Sequence, residues 1–139
     1  VGRAGQLLDK ILEACGYNRF THTYIANIVK CRPPQNRIPT PEERLCCRSY
    51  LMKQIEITDP AIIILLGATA LQGLIDPAAK ITEMRGSWLN WQDIWVMPTY
   101  HPAALLRNPS LKKPTWEDFK KVIQKYRELI DRNHYSQYC

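Results

Sequence analysis

Apolar residues at Leu7, Leu8, Ile11, Leu12 and Cys15 recur at the spacing of one helical face, and Gly16 offers a C-cap. Residues 3–15 are therefore predicted to form a helix. Residues 22–28 are rich in Thr, Tyr and Ile and read as a strand. A polar, Pro-rich loop over 30–40 follows. Thr40-Pro41-Glu42-Glu43 then combines an N-cap, a Pro at the first helical position and a Glu that closes a capping box. That helix is predicted to run to about residue 56, with Cys47, Leu51 and Ile55 on one face. The unbroken apolar run over 61–66 after Asp59-Pro60 is the pattern of a strand covered on both faces. Gly67 turns it directly into a helix ending near Ile75. Residues 94–99 give another strand, preceded by a turn region over Trp88–Trp91. Thr115 opens a last helix with Trp116, Phe119, Val122, Ile123, Tyr126 and Ile130 as its apolar stripe. Strands alternating with helices predict an α/β domain with a parallel sheet flanked by helices.

Composition keeps this picture within one ordinary globular domain over 1–139: 45% of the 139 residues are hydrophobic and 23% charged. The longest apolar stretch is too short to span a bilayer, and the opening Val1-Gly2-Arg3-Ala4-Gly5 has no export signal core, so a cytoplasmic location is expected. The chain does not start with Met, which suggests a processed or partial product. A net charge of +6 favours a polyanion partner such as nucleic acid, although a merely well-solvated surface gives the same total. Five cysteines at irregular spacing fit thiols or metal-bound thiolates better than disulfides.

Ligands of open parallel sheets bind beyond the carboxyl ends of the strands. Asn27 and His101 both fall there and would converge on one rim if their strands are parallel. Each has a plainer reading as a loop cap or a hydrogen-bonded turn residue. Cys31 and Cys47 flank the Pro-rich loop; two thiolates are half of a usual metal or cluster site, so the spacing alone favours buried free thiols. Cys46 cannot share Cys47's direction on a helix. In His101-Pro102-Ala103-Ala104-Leu105-Leu106-Arg107-Asn108-Pro109, two leucines stand beside a cation between prolines. This segment either wedges into a base stack or forms one helical turn that packs on the core. Lys112 and Lys113 suit backbone phosphates, or simply a solvated loop.

Together these segments resemble family 4 uracil-DNA glycosylases. The resemblance rests on residues 23–37 (Thr-Tyr-Ile-Ala-Asn-Ile-Val-Lys-Cys-Arg-Pro-Pro-Gln-Asn-Arg), Pro39-Thr40-Pro41-Glu42-Glu43, Cys47, Leu66-Gly67-Ala68-Thr69-Ala70, Arg85-Gly86 and the box over 101–109. The opening Val1-Gly2-Arg3-Ala4-Gly5-Gln6-Leu7-Leu8 is similar to the segment that follows the family's first catalytic motif. The resemblance implies a base-flipping DNA repair enzyme that acts as a monomer on uracil-containing DNA. It implies that Asn27 reads the flipped uracil through its amide and that His101 donates to O2 as negative charge builds on the departing base. Leu105, Leu106 and Arg107 would prop the duplex open. Cys31 and Cys47 would be two of four ligands of a [4Fe-4S] cluster whose task is to clamp the long loop.

The same resemblance implies a parallel four-stranded sheet, and an earlier segment that these residues lack. That segment would carry the first central strand, a Gly-rich motif with a water-positioning acidic residue, a stacking aromatic and the other two cluster cysteines. A second expectation of a different class is a non-catalytic, glycosylase-like DNA-binding module within a larger replication protein.

Overall fold

A computed structural model describes residues 2–18, 23–25, 40–137 and 139, with backbone alone for 43–47. Helix α1 covers Arg3–Ala14 and α2 covers Pro41–Thr58. Strand β1 (Ile62–Leu66) leads into α3 (Gly67–Leu74), followed by a short α4 (Ile81–Met84). Strands β2 (Leu89–Trp91) and β3 (Ile94–Thr99) precede α5 (Pro102–Arg107), a 3-10 turn (Pro109–Leu111) and the long α6 (Lys112–Leu129).

The sheet has three strands in the order β1-β3-β2. Strand β1 runs parallel to β3, with Ile62 opposite Trp95 and Leu66 opposite Thr99. Strand β2 runs antiparallel to β3, so the sheet is mixed and not the purely parallel one that the alternation of elements predicted. The reason lies in two residues. Gln92 and Asp93 both take positive φ, 48° and 66°, the combination that joins adjacent antiparallel strands through a two-residue turn. The Asn90 side chain accepts from the Asp93 N–H and braces that turn. Of the segment predicted as a strand over 22–28, only 23–25 are described, and they carry no strand pairing. Helix α6 starts at Lys112, three residues before the predicted Thr115. Pro114 falls in the first turn, where a missing N–H costs no helical hydrogen bond.

Both faces of the sheet are covered, which explains the unbroken apolar run in β1. Ile62, Ile64 and Leu66 pack with Met97 against α1, α5 and α6, through Ile11, Leu12, Leu105, Phe119, Val122 and Ile123. The alternate residues Ile63 and Leu65 pack with Val96 and Leu89 against α2, α3 and α4. The result is a helix–sheet–helix sandwich in which the turn after β1 and the turn after β3 emerge at the same edge. No helix among the described residues is long and apolar enough to cross a membrane.

Candidate active site at the carboxyl end of the sheet

The parallel pairing of β1 with β3 puts Gly67 and His101 side by side at the strands' carboxyl ends. Gly67 has φ +88°, and a Cβ built on it would lie 3.0 Å from the Cβ of His101. Glycine is thus required here twice, for its conformation and for the close approach of the histidine.

His101 is the N-cap of α5. Its Nδ1 accepts from the backbone N–H of Ala103 at 3.0 Å, and Pro102 occupies the first helical position. An accepting Nδ1 carries a lone pair, so the compatible form is the neutral imidazole with its proton on Nε2. Shielding of the ring lowers the His101 pKa below its ordinary 6.5, and the nearby Arg107 cation lowers it further. Capping and desolvation therefore select the same species: a neutral histidine with a fixed N–H donor beyond the sheet edge.

The predicted wedge segment is a short helix with two kinds of leucine. Leu105 is completely buried in the core, whereas Leu106 is 37% exposed and next to exposed Arg107. Of the two open readings, core packing holds for Leu105, and Leu106 is the leucine presented to solvent. Asn108 caps the following turn, its side chain accepting from the Ser110 N–H at 3.3 Å and Oγ at 2.6 Å. The exposed Lys112 and Lys113 then open α6. Cations at a helix N-terminus oppose the helix dipole, so their position there is not explained by helix stability.

Asn27 and Cys31 lie outside the described residues. Cys47 falls within α2, and its side chain is likewise outside the description. Among the described residues no group of three or more His, Cys, Asp or Glu could hold a metal ion. Cys15 is unsuited to such a role, since burial pushes its thiol pKa up to about 12 while a cluster ligand is a thiolate.

One part of the site escaped sequence reasoning. Asp118 of α6 is fully buried and accepts from Thr99 Oγ1 at 2.6 Å, Arg85 Nε at 3.0 Å and Arg85 Nη2 at 2.5 Å. A signal for it existed: Asp118 stands three residues after Thr115 and four before Val122, on the buried face of the helix. An acid on that face requires a partner.

Against known proteins, residues 1–125 match the model of the uracil DNA glycosylase superfamily. The chain is 48% identical over 126 residues to the type-4 uracil-DNA glycosylase of Thermotoga maritima, covering 88% of this chain and 65% of that protein. With the type-4 enzyme of Sulfurisphaera tokodaii it shares 43% over 131 residues, 88% of this chain and 59% of that protein. A DNA polymerase of Bacillus phage SP01 is 36% identical over 118 residues, 85% of this chain but 12% of the polymerase. The chain thus spans less than two thirds of the length of these two type-4 relatives. A sheet edge where Gly67 admits a capping histidine, and a family match over nine-tenths of the sequence, lead to one assignment: the chain belongs to the uracil-DNA glycosylase superfamily.

Proposed function

We propose that this chain is the His101-bearing part of a DNA repair glycosylase that hydrolyses the N-glycosidic bond of uracil in single- and double-stranded DNA. The observation that carries the proposal is the capping bond from Ala103 to His101 Nδ1, which leaves Nε2–H as the donor. The glycosidic bond is inaccessible within a base stack, so the nucleotide must first flip out. As the bond to the sugar breaks, charge builds on the uracil, and His101 Nε2–H donates to O2. One such donor is worth about 3–4 kcal/mol of transition-state stabilisation. The sugar becomes oxocarbenium-like and water completes the hydrolysis. Asn27 supplies selectivity: its amide donates to uracil O4 and accepts from N3–H, and cytosine reverses both roles.

Leu106 and Arg107 occupy the gap left in the duplex while Leu105 anchors their helix in the core. Lys112 and Lys113 contact backbone phosphates. Cys31 and Cys47 are two of four ligands of a [4Fe-4S] cluster, which supplies a clamp on the loop between them. The described sheet pairs β1 on one side only. In the intact enzyme, which acts as a cytoplasmic monomer, a further strand pairs with the other edge of β1 and adds a third parallel strand to β1 and β3. It belongs to the portion of the relatives' length not spanned here, together with the Gly-rich motif and its acidic residue.

The test is release of free uracil from single- and double-stranded DNA by the longest natural polypeptide that contains this chain. Uracil release is expected, and Asn27→Asp should abolish or strongly reduce it while sparing DNA binding. The similarity to a segment of a phage DNA polymerase favours a second reading, a glycosylase-like binding module of a replication protein. Binding of uracil-containing DNA without release would establish that reading instead.

A further inference from the structure

The Ala103 cap orients the His101 imidazole, and the backbone over 98–101 that carries it is held by three contacts. Thr99, the last residue of β3, is 1% exposed and donates its hydroxyl to Asp118 Oδ2 at 2.6 Å. One residue earlier, the Pro98 carbonyl accepts from the Gly86 N–H at 2.9 Å. On the far side, the Gly67 turn abuts the His101 Cβ. The first two contacts belong to one polar cluster. Arg85 grips Asp118 through Nε and Nη2, and its Nη2 also reaches the Pro114 carbonyl at 3.3 Å. Lys121 Nζ donates to the Gly86 carbonyl at 2.7 Å. Gly86 has φ +80°, and a Cβ there would come within 2.6 Å of Asp118 Oδ1, so the turn is fitted against the carboxylate.

An apolar core could fasten α6 to β3 without a buried charge, and buried ion pairs add little net stability over apolar packing. What the charge adds is directional: two forked bonds and one hydroxyl bond fix the strand end in rotation as well as depth. We infer that Asp118, oriented by Arg85, is a positioning residue that aims His101 by holding Thr99. The inference rests on the reading of His101 as the donor to the departing base. A donor aimed wrongly by about 1 Å can lose about a hundredfold in rate without loss of binding.

The experiment uses the full-length protein with Thr99→Val, Thr99→Ser and Arg85→Lys. Thr99→Val removes one hydroxyl at nearly constant shape, so it retains the fold where Asp118→Asn could fail to. Expected for Thr99→Val is a cooperative melt, an unchanged dissociation constant for uracil-containing DNA, and a single-turnover rate reduced about ten- to a hundredfold. Thr99→Ser should recover most of that rate. Arg85→Lys keeps the charge but loses the fork and should behave like Thr99→Val. A folded Thr99→Val protein with wild-type turnover, or one that loses affinity and rate equally, overturns the inference. The His101 imidazole nitrogen shifts separate this failure from that of the proposed function. If the wild-type protein releases no uracil, a wild-type shift pattern of fixed Nε2–H that Thr99→Val disturbs still supports the clamp. Unchanged shifts refute it.

Discussion

At the scale of single residues, the decisive feature is a histidine held neutral. Protonation of His101 would put an N–H on Nδ1 against the N–H of Ala103, break the cap and place two donors face to face. Its lowered pKa means that the folded protein binds this proton more weakly than the unfolded chain does. The stability it contributes is therefore present above about 6.5 and is lost as the pH falls through that value toward the lowered pKa. Under the proposed function, activity follows the neutral form. The acid limb of the single-turnover rate is expected to have its midpoint below 6.5, and Arg107→Ala, which removes the second cause of the shift, should move it upward. A pH–rate series on both proteins checks this; an acid limb that stays in place in Arg107→Ala would show that Arg107 does not bear on the imidazole. His101→Ala should lower the rate by about 10²–10³-fold with little change in affinity.

At the scale of elements, α5 turns one of two adjacent leucines into the core and the other to solvent. Leu105 is fully buried beside Phe119 and Ile123, so Leu105→Ala should destabilise the protein by about 2–5 kcal/mol. Leu106→Ala should cost little stability but should slow excision from double-stranded DNA more than from single-stranded DNA, where no stack needs opening. Denaturant melts and paired excision rates on the two substrates measure both; equal loss on the two substrates would remove Leu106 from the wedge. The helix was foreshadowed in the sequence as one of two readings, and periodicity could not choose because two adjacent leucines fit either. Strands β1 and β3 and helices α1, α2 and α3 were legible because each has a long apolar signal or a strong cap. Strand β2 was not. It has three residues, and its turn uses Gln92 and Asp93 at positive φ where a glycine or asparagine would have announced it. The start of α6 was misplaced because Pro114 reads as a breaker, although the first turn tolerates it.

At the scale of the whole molecule, the candidate site was legible on its outside and hidden beneath. His101, Arg107 and the lysines stand in an unusual local string, and a string can be read. The Thr99–Asp118–Arg85 cluster joins three distant positions, and only the packing of α6 on β3 reveals that they meet. The parallel pairing of β1 with β3 likewise brings Gly67 under His101, which the Leu66-Gly67 turn alone did not disclose. The proposed function requires one more thing of these parts, a single slot for an extruded base that His101 and Asn27 share. A crystal structure of the intact protein with uracil bound tests it directly. His101 Nε2 is expected at hydrogen-bond distance from O2, about 2.6–3.2 Å, with the Asn27 amide on the O4 and N3 edge. Uracil bound elsewhere, or the two side chains on separate faces of the protein, would contradict it.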